Sequence, residues 1–217
     1  MAAIVLTGHA GRIEAKYHHS KRAEASLAIV LHPNPVHGGT MNNRVTVSLY
    51  NAFVENGFST IRFNFRGVGK SEGEFDKGEG EFNDAALILD WIQSVNKGHR
   101  DIWIAGFSFG ALIGMQLLMR RPEISGFISV CPPANLYDFS FLAPCPVSGM
   151  IINGGNDVVC PTENVDKLVE KLNGQKGISI DYRVIPGCDH SFSGHLGTIK
   201  QYVGEYLNLD RKIRKFA

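Results

Sequence analysis

A chain of 217 residues, 44% hydrophobic and 20% charged, has the composition of a globular protein with one sizeable hydrophobic core. We expect a single domain spanning residues 1–217. The formal net charge of +1 gives no reason to expect nucleic acid or an anionic membrane as a partner. No apolar stretch approaches membrane-spanning length, and the first residues lack the basic region of a signal peptide. We therefore expect a cytoplasmic protein.

The cysteines show no pattern of a metal site. No C-x-x-C pair occurs, and no histidine lies at metal-finger spacing from any of them. We predict free thiols in a reducing compartment, with no metal and no cofactor. The four are Cys131, Cys145, Cys160 and Cys188.

Strands and helices alternate along the whole chain. Two short strands around a Gly8–Gly11 turn predict an antiparallel hairpin. Apolar runs and helical spacing then predict the remaining elements. The predicted strands are 3–6, 11–17, 25–31, 60–65, 102–105, 124–130, 147–152 and 178–185, and the predicted helices are 42–55, 79–95, 111–119, 161–172 and 196–207. The basic residues 211–215 are predicted to be a solvated end.

This alternation predicts an α/β fold: a single, doubly wound, mostly parallel sheet with helices on both faces and a short N-terminal antiparallel hairpin. Active residues of such sheets belong at the carboxyl ends of the strands. Four loops meet that condition, and they follow residues 31, 105, 152 and 185.

The strand at 102–105 leads into a G-x-S-x-G sequence, Gly106-Phe107-Ser108-Phe109-Gly110. With 24 glycines in the chain the bare pattern arises easily by chance, and its serine could merely cap a helix. A buried strand directly before it and an apolar helix directly after it are the context of a nucleophile elbow. We therefore interpret Ser108 as a nucleophile at a helix N-terminus.

A serine hydroxyl needs a base that takes its proton. His190 lies just past the last predicted strand, at the correct edge of the sheet, and is the expected base. His195, five residues later, is its local competitor, although a helix cap or surface role suits it better. His32 and His37 border the cleft, where a structural role is favoured over a catalytic one.

The base needs an anionic partner. Asp157 ends the glycine-rich turn after the strand at 147–152 and is the expected acid. The chain order Ser108, Asp157, His190 is the order of this architecture. Asp138 is the second candidate, whereas Asp189 is too close to the histidine in sequence to reach its ring easily.

An oxyanion hole needs two backbone N–H groups, one of them from Phe109, the residue after the nucleophile. The second should come from the His32-Pro33-Asn34-Pro35 loop. Proline has no N–H, so the early donors there are His32 and Asn34. We choose Asn34, and His32 stays open as the alternative.

Together these residues resemble the α/β-hydrolase superfamily, and the resemblance covers nearly the whole chain. The run Asn64-Phe65-Arg66-Gly67-Val68-Gly69-Lys70-Ser71 is similar to that family's D-x-R-G-x-G-x-S loop, with Asn64 in place of the acid. The proline-flanked loop with Gly38-Gly39 resembles small, lidless members related to dienelactone hydrolases and acyl-peptidases. The resemblance implies ester, thioester or amide hydrolysis without a cofactor. Gly69-Lys70-Ser71 imitates a P-loop end, but Asn64 replaces the first glycine, so we reject nucleotide binding.

The stretch from Cys131 to Pro146 is too short for a helical lid, which predicts an open cleft. We expect its walls to be Phe107, Pro133, Leu136, Tyr137 and Phe139. The expected substrate is a small-molecule or short-peptide acyl compound. A short-peptide serine peptidase and a non-catalytic binding protein remain the alternatives, and the oligomeric state stays open.

Overall fold

The computed structural model describes residues 2–216, with side chains as far as residue 211. The described strands are β1 (Ala2–Gly8), β2 (Gly11–His18), β3 (Leu27–Leu31), β4 (Ser59–Phe63), β5 (Ile102–Phe107), β6 (Ile124–Val130), β7 (Gly149–Gly154) and β8 (Ile180–Ile185). They form one sheet in the order β1-β2-β4-β3-β5-β6-β7-β8.

The sheet is parallel from β4 to β8, and only its first edge is antiparallel. β1 pairs with β2 and β2 with β4 in antiparallel ladders, while every later pair is parallel. The predicted hairpin and the mostly parallel sheet are therefore confirmed. β3, β4 and β5 are buried at every position, as expected for central strands covered on both faces.

The described α-helices are α1 (Arg44–Glu55), α2 (Glu79–Val95), α3 (Phe109–Leu118), α4 (Thr162–Asn173) and α5 (Leu196–Phe216). They cover both faces of the sheet. One apolar core joins α2, α3 and α4 to the strands, and a second core joins α1 and α5 to the opposite face. The doubly wound architecture is thereby confirmed.

Three strands begin later than the hydrophobic pattern predicts, and the first of them, β3, begins at Leu27 and not at residue 25. The β7–β8 ladder starts at Gly149 and Ile180, not at Val147 and Ile178. Val147 and Ile178 are partly buried against the core without pairing, so their hydrophobicity reflects packing and not strand structure. The bounds of α2 and β6 agree with the prediction.

The segment 211–215 was predicted to be a solvated end, and this prediction is wrong for its first residue, Arg211. α5 continues through this segment, and Arg211 donates a hydrogen bond to the Asn56 carbonyl oxygen at 2.6 Å. Its guanidinium also lies 5.2 Å from the centroid of the Phe58 ring. Arg211 thus packs the helix against the end of α1, because a long side chain covers apolar surface while its head group stays polar. The side chains of residues 212–215 lie outside the described ones.

The connection from β6 to β7 holds a single 3-10 turn at Ser140–Leu142 among its described residues, so the predicted absence of a helical lid agrees with the structure. All four cysteines are unpaired and buried, as predicted. Within residues 2–216 no helix has both the length and the apolar character needed to cross a membrane.

Candidate active site

The turn between β5 and α3 holds Ser108 in a strained conformation. β5 ends at Phe107, Ser108 has φ 54° and ψ −119°, and α3 begins with the next residue. A positive φ is rare for residues other than glycine and costs on the order of 1–3 kcal/mol. Such strain at one serine between a strand and a helix is the geometry of a nucleophile elbow.

Both glycines of the elbow are needed because backbones approach closely there. A Cβ on Gly106 would overlap the Gly110 carbonyl oxygen, and one on Gly110 would lie 2.5 Å from the Leu31 carbonyl oxygen. The second contact also brings the start of α3 against the end of β3. The glycines therefore allow the elbow and the loop after β3 to form one compact edge.

Ser108 opens onto a cavity of about 720 Å³ at the carboxyl ends of the strands. The residue is 9% exposed, so its hydroxyl is sheltered but still reachable. Three segments form the cavity: the loop after β3 with the start of α1, the elbow, and the loops after β7 and β8. Its lining residues are Pro33, Asn34, His37, Asn43, Arg44, Phe107, Ser108, Val159, His190, Ser191 and Ser193.

His190 and Asp157 form a hydrogen-bonded pair beside this cavity. The Nδ1–H of His190 donates to Oδ2 of Asp157 at 2.7 Å. A proton on Nδ1 leaves the Nε2 lone pair of the neutral ring unprotonated. A general base requires this tautomer, because its free Nε2 can accept a proton. His190 lines the same cavity as Ser108.

The carboxylate of Asp157 is fully buried and held on both oxygens. Oδ1 accepts hydrogen bonds from the backbone N–H groups of Val159 and Cys160, each at 2.8 Å. Burial alone would raise the pKa of Asp157, but hydrogen bonds from His190, from the Cys131 thiol and from the Cys160 backbone outweigh it and lower that pKa. The group is therefore a fixed anion behind the imidazole.

The ring of His190 is also fixed by packing. Its centroid lies 4.9 Å from that of Phe107, with 34° between the ring planes. In the described structure no hydrogen bond joins the Ser108 hydroxyl to His190. The hydroxyl is instead hydrogen-bonded to the Cys160 thiol. Free enzymes often have loose nucleophile–base contacts that tighten when substrate binds.

Two cysteines that were not predicted as site residues, Cys131 and Cys160, lie beside Asp157. Burial and the charge of Asp157 raise the pKa of Cys160 to about 12. The same two causes raise the pKa of Cys131 well above its ordinary value, and Cys131 has φ 47°. Cys131 comes next to the acid only through folding, whereas Cys160 follows Asp157 by three residues in the same turn.

Cys131, Asp157 and His190 have ligand atoms within 4.8 Å of one another, so their spacing alone would suit a metal ion. The raised pKa of the Cys131 thiol favours the protonated donor, whereas metals bind the thiolate. The pairing of Asp157 with the imidazole also occupies the two other groups. The donor set fits a hydrogen-bonded row better than a metal centre.

The two predicted oxyanion donors lie near Ser108 in different ways: Asn34 lines the same cavity, and Phe109 is the next residue in the chain. Across residues 2–216, neither N–H has a hydrogen-bond acceptor. The loop that carries Asn34 is rigid, since its carbonyl oxygen accepts from the N–H groups of His37 and Gly39 and its side chain accepts from Val36. Unpaired donors on a rigid backbone are what an oxyanion hole provides.

His32, the alternative donor, has a structural role through its side chain. Its ring is buried, donates from Nδ1 to the Pro33 carbonyl oxygen at 2.7 Å, and accepts at Nε2 from the Phe65 backbone N–H at 3.0 Å. His32 is not part of the cavity lining, whereas Asn34 is.

The predicted cleft walls are mostly wrong. Phe107 lines the cavity, but Pro133, Leu136, Tyr137 and Phe139 do not. The segment that carries these four residues folds toward α4, where Tyr137 and Phe139 line a separate depression. The cavity at Ser108 is lined instead by the loop after β3, the start of α1 and the loops after β7 and β8.

The competing acids and base are engaged elsewhere. Asp138 accepts hydrogen bonds from the Ser140 backbone N–H and hydroxyl at 2.8 and 2.6 Å. Asp189 accepts from the backbone N–H of Ser193. His195 begins the turn into α5 and is not among the lining residues of the cavity.

Asn64, which stands in place of the acid of the D-x-R-G-x-G-x-S loop, joins three neighbouring segments by hydrogen bonds. Its side chain accepts from the Met41 backbone N–H at 2.8 Å and donates to Glu14 at 2.8 Å. The backbone carbonyl oxygen of Asn64 accepts a hydrogen bond from the Ser71 hydroxyl. The chain after Ser71 stays irregular until α2 begins at Glu79, so the P-loop resemblance fails as predicted.

A mostly parallel eight-stranded sheet, a serine elbow after a central strand and a histidine–aspartate pair at the same edge define the α/β-hydrolase fold. The family model of the X-Pro dipeptidyl-peptidases (S15 family) matches residues 12–158, more than half of the chain. The protein therefore belongs to the S15 family of the α/β hydrolases and is a hydrolase.

Solved structures agree with this assignment. A protein from Agrobacterium tumefaciens is 52% identical, with a TM-score of 0.93 over 99% of this chain and 97% of that one. A serine hydrolase homologue from Coxiella burnetii is 35% identical, with a TM-score of 0.84 over 95% and 97% of the two chains. An α/β serine hydrolase without lid from Xanthomonas campestris is 30% identical, with a TM-score of 0.85 over 94% and 92%.

Proposed function

We propose that this protein is a serine hydrolase that cleaves a small or extended ester, thioester or amide through an acyl-enzyme intermediate. One observation carries the proposal. The His190–Asp157 hydrogen bond at 2.7 Å supports a ring proton on Nδ1, with Nε2 as the base in the cavity that Ser108 also lines. Family membership supports hydrolysis, and the site residues supply the steps.

In the first half-reaction the Ser108 oxygen attacks the substrate carbonyl carbon and Nε2 of His190 takes the hydroxyl proton. The carbonyl oxygen becomes an oxyanion, which the N–H groups of Asn34 and Phe109 stabilise. When the tetrahedral intermediate collapses, the imidazolium gives its proton to the leaving group. The product of this step is an acyl ester on Ser108.

In the second half-reaction water attacks the acyl ester, and Nε2 of His190 takes one of the water protons. As the second tetrahedral intermediate collapses, the imidazolium gives that proton to the Ser108 oxygen, which leaves as the hydroxyl, and the acid product departs. Asp157 stays ionised in both steps, because its lowered pKa keeps it an anion that stabilises the imidazolium.

The open connection between β6 and β7 favours substrates that need no enclosing lid. A small-molecule or short-peptide acyl compound suits the 720 Å³ cavity. The four unpaired cysteines fit a reducing compartment such as the cytoplasm.

A short-peptide serine peptidase is the second candidate, favoured by the family to which the chain belongs. The same site residues would act in it, since amide and ester cleavage share the acyl-enzyme route. A non-catalytic binding protein is less favoured, because it has no use for a strained serine facing an oriented imidazole.

The test is a screen of p-nitrophenyl esters of graded chain length, acyl thioesters and aminoacyl amides, with the S108A protein as the blank. We expect Ser108-dependent turnover of at least one class, and the preferred class and chain length would report the pocket. Equal background rates for wild type and S108A across all three classes would refute the proposal.

A further inference from the structure

The charged side chains that line the candidate substrate cavity are basic, with no acidic side chain among the lining residues described. Two residues that can carry positive charge, His37 and Arg44, line it from the segment after β3. The nearest anion, Asp157, lies behind His190 with its side chain fully buried.

Arg44 is free to bind a ligand. It is the exposed first residue of α1, and across the side chains described its guanidinium has no carboxylate within 4.0 Å. By contrast, Arg66 and Arg121 are each paired with one or more acids. A cation without a partner at the rim of a reactive cavity attracts an anion from the substrate.

The surroundings of Arg44 favour the same sign of ligand charge. α1 is 12 residues long and begins at the cavity, so its positive dipole end faces this side. Asn43, Ser191 and Ser193 add polar groups to the lining. Phe107 and Val159 add apolar side chains to the lining, which suit a short acyl chain.

We infer that the substrate carries an anionic group, a carboxylate or a phosphate, which Arg44 binds while the scissile carbonyl lies at Ser108. The inference rests on the proposed function and narrows its substrate class. It also separates this protein from a dipeptide-releasing activity on free peptide N-termini. The ammonium of a peptide N-terminus would be repelled by Arg44, and the lining residues described include no carboxylate that could bind it.

The first experiment measures how fast Ser108 is labelled by paired alkyl fluorophosphonates of equal length. One probe ends in a methyl group, one in a carboxylate and one in a phosphate, so the two sources of negative charge are compared directly. The second-order rate constants need no knowledge of the natural substrate. The turnover arm compares p-nitrophenyl butyrate with p-nitrophenyl hydrogen succinate and with alanyl-prolyl-p-nitroanilide.

The matched variants are R44Q, R44E and the control R120Q. Arg120 is exposed, lies between α3 and β6 at the opposite edge of the sheet, and is absent from this cavity. We expect the wild type to be labelled faster by at least one of the two anionic probes than by the neutral probe. R44Q should reduce this anionic-to-neutral ratio of rate constants about fivefold, the scale of an exposed ion pair. R44E should invert the preference, and R120Q should keep the wild-type ratio.

Rising salt should lower the wild-type ratio toward that of R44Q, because exposed charges are screened. Equal ratios in wild type, R44Q and R44E would overturn the inference while leaving the serine hydrolase intact. Faster cleavage of alanyl-prolyl-p-nitroanilide than of both esters would also overturn it. Absence of any labelling at Ser108 would instead overturn the proposed function, and the inference with it.

Discussion

The imidazole of His32 accepts a hydrogen bond from the Phe65 backbone N–H at 3.0 Å, which joins the loop after β3 to the loop after β4. Its Nδ1–H donates to the Pro33 carbonyl oxygen at 2.7 Å. Both bonds require the neutral ring. Burial lowers the pKa of His32 to about 4, although the bond to Pro33 partly opposes this effect.

Stability should therefore depend on pH through His32. In the unfolded chain the ring gains a proton near pH 6.5, whereas in the folded chain it stays neutral until about pH 4. Stability is complete above the unfolded pKa and falls as pH drops between these values, by at most about 3 kcal/mol. Denaturant unfolding at several pH values across this window should show that the free energy of unfolding changes less steeply with pH in H32N than in wild type. An unchanged slope in H32N, with the control H37N also unchanged, would contradict the assignment.

The oxyanion donor can be tested by removing one N–H. Asn34 has φ −54°, which proline can adopt, so N34P deletes the donor with little change of backbone angle. N34A is the matched control, since it loses only the side-chain bond to Val36 and keeps the N–H. We expect N34P to lower kcat about a hundredfold relative to N34A. Equal kcat values would move the donor to His32 or elsewhere.

The elbow glycine should tolerate no methyl group. In G106A the new Cβ overlaps backbone of Gly110, which cannot shift without moving α3. We expect a loss on the order of 3 kcal/mol in the free energy of unfolding, or failure to fold. G197A is the control, because a Cβ there meets nothing within 4 Å, and it should stay within about 1 kcal/mol of wild type. Thermal melts of both variants decide, and a wild-type melt for G106A would argue against the elbow geometry.

Replacing the acid should change the tautomer without removing the base. In D157N the amide offers an N–H where Oδ2 accepted the His190 proton, which favours a proton on Nε2. We expect kcat to fall about ten-thousandfold, with the fold retained. D138N removes an exposed carboxylate whose hydrogen-bond partner, among the side chains described, is Ser140, and it should leave kcat near the wild-type value. A reversal of the two results would make Asp138 the acid.

The sequence predicts the sheet and the three site loops because their signals are local. β6 and α2 follow from apolar runs and helical spacing that lie wholly within each segment. Ser108 directly follows β5, and Asp157 and His190 lie in the loops after β7 and β8. Carboxyl ends of parallel strands share one edge of the sheet. Local patterns therefore suffice to bring the three loops together.

The cleft walls are not predictable in the same way. Tyr137 and Phe139 follow the correct strand, but the direction in which their loop folds depends on its packing against α4. Arg44 belongs to a helix start that looks solvated in the sequence, and only the fold places it at the cavity. Cys131 approaches the acid through tertiary packing, which no spacing rule encodes.

The most direct test of the central claim is site-resolved labelling with a fluorophosphonate, read by peptide mass spectrometry together with kcat. We predict one label per chain at Ser108, none in S108A, and a loss of at least about three orders of magnitude in kcat for S108A with an unchanged thermal melt. A label at another residue, or wild-type turnover by S108A, would contradict the account.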